Sequence, residues 1–169
     1  RHFDGEDWNA VDPGTGQNVN FFKVWGAAHD DVFVVGDAGV VLHGDGATFE
    51  PMASGYSSRI VTVHGRGADD VWAVGGLSSG AVLHFDGASW NSVGPELIDG
   101  LMGVWAAPGG DIVVAGMRGA IAVGGEDGWS EVWPRLTDAC LHGVWGDGRK
   151  TVVVGGGDFL AIDPPRLGL

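Results

Sequence analysis

Apolar residues along this chain come in short runs separated by Gly, Asp, Pro and Ser, and nowhere form a stripe at helical spacing. Runs of four to seven residues rich in Val, Ile and aromatics, bounded in this way, predict strands. The runs also recur. Val24-Trp25-Gly26 returns as Val63-His64-Gly65, Val104-Trp105-Ala106 and Val144-Trp145-Gly146, at spacings of 39, 41 and 40 residues. A turn and a second apolar run follow each, over 31–36, 70–75, 111–116 and 151–155. A third run covers 40–43, 81–84, 120–123 and 159–162. An Asp-Gly pair and an aromatic come next: Asp45-Gly46 with Phe49, Asp86-Gly87 with Trp90, Asp127-Gly128 with Trp129.

Four short strands repeated in tandem every ~40 residues are the pattern of propeller blades, whose sheets bury both faces only by packing on their neighbours. The expected fold is all-β, a four-bladed β-propeller with repeats over about 21–59, 60–100, 101–140 and 141–163. Within each first strand Val24, Val63, Val104 and Val144 face one way and Trp25, His64, Trp105 and Trp145 the other, so both faces are apolar. The opening residues His2-Phe3-Asp4-Gly5-Glu6-Asp7-Trp8 repeat a blade end, as in His84-Phe85-Asp86-Gly87-Ala88-Ser89-Trp90. The fourth repeat stops after its third run, before Pro164-Pro165. A strand within 3–12 is therefore expected to complete the last blade and close the ring. The alternative is part of a larger ring, such as a half that pairs with a second copy to make eight blades. Each Asp-Gly pair is expected to form a two-residue hairpin, because Gly accepts positive φ freely and Asp tolerates it.

Composition adjusts this picture in two ways. Glycine fills 32 of 169 positions, which the many tight turns explain without invoking disorder, since 44% of the chain is hydrophobic. The net charge is −13, from 9 Lys+Arg against 22 Asp+Glu, which argues against nucleic acid and anionic membrane surfaces as partners. No uncharged apolar run approaches the ~18 residues needed to span a bilayer, so no membrane insertion is expected. Cys140 is the single cysteine, so no intrachain disulfide is available.

The pattern Val-Trp-Gly, Asp-Asp-Val-Trp-Ala-Val-Gly and Leu-His-Phe-Asp-Gly-x-x-Trp resembles tandem-repeat bacterial β-propeller proteins over nearly the whole chain. That resemblance implies a scaffold or binding module and an extracellular or cell-surface location. The Asp-Gly-x-x-Trp turn is distantly similar to the Asp-box hairpin of sialidase-type propellers. It lacks that motif's leading Ser and its spacer between Asp and Gly, so blade position carries over and sialidase activity does not.

No phosphate loop, dinucleotide fingerprint or zinc-protease motif occurs, and no cofactor is expected. His2, His43 and His84 share one repeat position, but equivalent positions of different blades point apart, too far for the ~2 Å ligand distance of zinc, so no metal site is expected. The doubled acids Asp30-Asp31 and Asp69-Asp70, and Asp111, are expected to shape turns by bonding backbone amides. Ligand contacts are sought where the repeat is broken. His64 replaces a tryptophan. Trp129, Trp133 and Arg135 share one blade edge and combine stacking surface with a cation. Asp37 follows a second-strand glycine where other repeats carry Gly76, Met117 and Gly156. The leading expectation is a non-catalytic module recognising a protein or glycan through a propeller face or rim, with a homodimer as a further pairing. The competing one is a propeller hydrolase or lyase with an axial site, using Asp37 or Asp158 with Arg118 as electrostatic partner.

Overall fold

A computed structural model describes residues 1–16, 18–94 and 99–156. The strands run in order: β1 (His2–Phe3), β2 (Trp8–Asn9), β3 (Phe21–Ala28), β4 (Asp31–Gly36), β5 (Val41–Gly44), β6 (Phe49–Met52), β7 (Ile60–Gly67) and β8 (Asp70–Gly75). Then come β9 (Ala81–Phe85), β10 (Trp90–Ser92), β11 (Leu101–Ala106), β12 (Ile112–Gly116), β13 (Ile121–Gly125), β14 (Gly128–Glu131), β15 (Cys140–Gly146) and β16 (Thr151–Gly156). Three antiparallel meanders, β3–β6, β7–β10 and β11–β14, form complete four-stranded blades, and β15–β16 begins a fourth. Among the described residues there is no α-helix, only two single 3-10 turns, Asp37–Gly39 and Met117–Gly119. The architecture is the all-β propeller arrangement that the repeat predicts.

The core lies between blades. Trp25, Phe33, Val35 and Val41 of the first blade meet Val63, Val71, Ala73, Leu83, Phe85 and Trp90 of the second. The second blade's opposite face, with Trp72, Val74 and Val82, meets Val104, Ala106, Ile112, Val114 and Ala122 of the third. Each valine face thus packs on the aromatic face of the blade before it. Period-2 alternation alone dictates this, because one sheet must present apolar side chains on both sides.

Along the first strands the rings form a column: Trp25 lies 5.9 Å from His64, His64 4.4 Å from Trp105, and Trp105 6.1 Å from Trp145. The residue after each aromatic receives the ring from the preceding blade. A Cβ on Gly65 would sit 2.6 Å from the Trp25 ring, and one on Gly146 would sit 2.8 Å from Trp105 Nε1. Where the incoming ring is the smaller His64, the receiving residue is Ala106, whose N–H donates to His64 Nδ1 at 3.2 Å. Tryptophan requires a bare backbone and histidine leaves room for a methyl.

Two local expectations are corrected. In the hairpins carrying Asp45-Gly46 and Asp86-Gly87 the loop is four residues, with Gly44 opposite Phe49 and Phe85 opposite Trp90. Asp45 and Asp86 each accept from the amides two and three residues on, at 2.7–2.9 Å, while Gly46 and Gly87 take positive φ. The aspartate caps the loop where a two-residue turn would have needed it to twist. Asp4 and Asp147 do the same. Among the described Asp-Gly hairpins, only that of the third blade has a two-residue loop, at Glu126-Asp127 between the paired Gly125 and Gly128. The second correction concerns Asp31 and Asp70, which bind side chains of the adjacent strands rather than turn amides. Asp31 Oδ1 lies 2.5 Å from His43 Nε2, and Asp70 Oδ1 lies 3.1 Å from His84 Nε2 and accepts from Trp72 Nε1. Each imidazole stacks on the ring beside it, Phe33 or Trp72, so these histidines are fixed structural groups.

The N-terminal hairpin β1–β2 forms a separate two-stranded sheet, and among the described residues no ladder joins it to β15–β16. It shares a cleft of about 620 Å³ with the valine face of the first blade, where Phe3 and Trp8 lie near Val24, Val34, Leu42 and Phe49. Among the described residues the sheets follow one another with no ladder that closes a ring, and the fourth repeat's third run, 159–162, lies outside them.

Candidate functional site

In the first and third blades the chain passes from second to third strand through the same device. Gly36 and Gly116 lead into a 3-10 turn whose middle residue, Ala38 or Arg118, is left-handed (φ 55° and 51°), followed by a glycine at φ 71° or 69°. The closing glycine is needed for space as well as for φ. A Cβ on Gly39 would fall on the Tyr56 carbonyl, and one on Gly119 on the Thr137 carbonyl. In both blades the connector to the next blade lies directly over the turn.

The first connector is tied down by Ser54, whose buried hydroxyl donates to Gly39 O at 2.7 Å, and by Arg59, whose Nε donates to Asp37 Oδ1 at 2.8 Å. Asn20 donates to the other Asp37 oxygen at 2.9 Å. These two hydrogen bonds, Asn20 first and then Arg59, hold the Asp37 carboxyl below its ordinary value. The third connector uses more charge. Asp99 is only 4% exposed, and its two oxygens are taken by Arg118 and by Arg135 Nη1, the latter at 2.6 Å. Arg135 also forks onto Glu131 Oε1 through Nε and Nη2 (3.0 and 2.8 Å) and donates to Arg118 O at 3.1 Å. The Glu131 and Asp99 partners raise its pKa, so the cation is permanent.

Around this clasp the surface is apolar. Trp133 is 76% exposed and Leu136 80%, with Val132 beside them, and the Arg135 guanidinium stands 6.0 Å from the Trp133 ring centroid. Exposed aromatic and aliphatic side chains on a connector anchored by a buried carboxylate form a surface suited to binding.

The residues singled out in the sequence do not gather at one place. Trp133 and Arg135 do come together. Trp129, near them in sequence, turns into the interblade core: its Nε1 donates to Val93 O at 2.7 Å and its ring meets Trp72 edge-on at 6.3 Å. His64 stands in the aromatic column between Trp25 and Trp105, and burial, followed by the nearby Lys23, lowers its pKa. Asp37 lies on the first-blade turn, paired as described, and Asp158 lies outside the described residues. Asp99 and Leu136 escaped sequence reasoning. The only available signal for Asp99 was that the connector containing it differs from its counterparts.

A second recess opens at the rim between the second and third blades, lined by Asp69, Asp70, His84, Asp86, Asp111 and Glu126 among others. Arg66 already spans it, donating to Asp70 Oδ2 at 2.5 Å and to Gly110 O at 2.8 Å. His84 is held at both nitrogens, by Asp70 and by Glu126 at 2.8 Å.

No protein family and no curated protein matches this chain. Among solved structures it is similar to YCF48 bound to D1 peptide, at 13% identity and a TM-score of 0.36 over 92% of this chain and 80% of that one. A likeness this weak carries no inference about what the present chain binds.

Proposed function

We propose that this chain is a non-catalytic binding module that takes a protein ligand on the connector after the third blade. The observation that carries the reading is the exposure of Trp133 and Leu136 on a segment held in place by the buried Asp99. Pre-organised apolar side chains lose little entropy on binding, which is how a few residues come to dominate an interface. A peptide or protein fits better than a sugar because the Arg135 donors are engaged by Glu131, Asp99 and Arg118 O, and Leu136 and Val132 bring no hydroxyl partners. The Asp37 carboxyl, hydrogen-bonded by Asn20 and Arg59 and lowered in pKa, is poorly suited to general acid work, which favours binding over the axial hydrolase reading.

The test is to pan a displayed random-peptide library and a glycan panel against the full chain and against Trp133→Ser. Peptides enriched on the first and lost on the second support the proposal. Peptides that bind both alike contradict the site, and selective glycan binding without peptide enrichment overturns the protein reading in favour of sugar.

A further inference from the structure

The ring-on-glycine contact that joins successive blades has two unmatched halves. Gly65 receives Trp25 and Gly146 receives Trp105, while His64 lies against Ala106. At one end of the arc, Trp145 is 60% exposed, and among the described residues no glycine receives its ring. Val152 and Val154, on the same face as Trp145, are exposed too. At the other end, Gly26 occupies the receiving position, and the atoms nearest a Cβ there belong to its own blade, at Ala28, Asp31 and Val32. Val24, on the same strand, is 59% exposed. Among the described residues, Trp145, Val152 and Val154 on the aromatic face of the fourth blade and Val24 on the valine face of the first lie open. These are the two surfaces that pack together at every internal joint.

We propose that the open aromatic face of one copy seats on the open valine face of a second copy, with Trp145 over the partner subunit's Gly26, and that two such joints close a ring of two chains. The occupant is argued from continuity: the same interface, aromatic face on valine face, is used at each step within the chain. The hairpin β1–β2 supports the fit. Its Phe3 and Trp8 share a cleft with the first-blade valine face, and Val24 on that face stays 59% exposed. The two inner strands β15–β16 are of the right kind to fill that place, because inner strands occupy it at every internal joint. An interface between two different faces assembles head to tail and makes a ring only if its rotation closes. Four blade positions from each copy give eight, within the range of roughly 4–8 blades that propellers adopt. This joint does not depend on the ligand proposed for the Trp133 connector.

The experiment is the solution mass of the full chain, by light scattering on a sizing column, through a dilution series. The expected mass is twice 17.5 kDa. Val152→Asp, which spoils only the aromatic face, and Val24→Asp, which spoils only the valine face, should each run at the single-chain mass. An equimolar mixture of the two should recover pairs, because each variant keeps the face the other lost. Both positions are exposed in one copy, and a wild-type circular dichroism spectrum with a cooperative thermal transition, lowered only as far as loss of the partner requires, confirms that the variants fold. A wild-type mass of one chain at the highest concentration overturns the proposal, as a ring closed within one chain would give. So does a ladder of larger species, or a Val152→Asp protein that stays paired.

Discussion

The first and third blades turn the chain identically and secure the turn with opposite charges. In the first, the turn carries the acid, Asp37, and the connector carries the base, Arg59. In the third, the turn carries the base, Arg118, which meets Asp99 from the connector before the blade, while Arg135 from the connector after it meets the same carboxylate. The backbone solution is set by glycine and the left-handed residue, so side-chain chemistry is free to vary. Burial is what separates the two clasps. Asp37 is solvent-accessible and its pairing is screened, whereas Asp99 is enclosed and depends on its two guanidinium partners. The heavily clasped connector is also the one that displays Trp133 and Leu136.

Substitutions graded by burial sharpen this contrast. The largest loss is expected where the backbone is bare beneath a ring. Gly65→Ala places a methyl 2.6 Å from Trp25 and 2.7 Å from the Asp70 carbonyl, and should cost at least about 2 kcal/mol in urea unfolding. Asp99→Ala comes next. It strips Arg135 and Arg118 of their shared partner and should lower stability by about 2 kcal/mol, with a matching fall in thermal midpoint. Asp37→Asn, at the exposed clasp, should shift the midpoint by clearly less than Asp99→Ala. If the two shifts were equal, burial would not be the distinguishing factor.

Acid provides a graded test within one protein. Asp45 and Asp86 are lowered chiefly by the backbone amides they accept from, and Asp4 and Asp147 likewise. A carboxyl whose folded pKa lies below its unfolded one stabilises above the unfolded value, near 4, and loses that contribution as pH falls through the folded value. The thermal midpoint should therefore drop below about pH 4. His64 is also lowered, by burial first and Lys23 second, so its neutral form is the one that stabilises. Its contribution is complete above about pH 6.5 and declines as pH falls below that value. A His64→Gln variant should flatten this upper step and leave the lower one intact.

Much of the fold was legible from period and alternation. The Val-aromatic pairs of the first strands specify both which faces pack and in what order, and the structure uses them that way. The Gly65 and Gly146 positions were visible as repeats, but their reason was not, because it comes from a ring about 40 residues earlier. Asp31 with His43 and Asp70 with His84 were noted separately. Their pairing needed the strand register, which sets Phe33 opposite His43 and Trp72 opposite His84. The candidate site was half legible: Trp133 and Arg135 were marked by breaking the repeat. Trp129 shared their neighbourhood in sequence and not in space, because β14 turns its indole toward Val93. Asp99, 36 residues from Arg135, was marked only by lying on a connector that differs from its counterparts, which does not point to its partner.

The third-blade connector, in this proposal, binds a partner and its first-blade counterpart does not. The most direct measurement is calorimetric titration of a peptide selected on the full chain against wild type, Trp133→Ser and Asp37→Asn. The expected result is binding weakened by about tenfold or more in Trp133→Ser, with Asp37→Asn unchanged. Equal affinity for wild type and Trp133→Ser would contradict it.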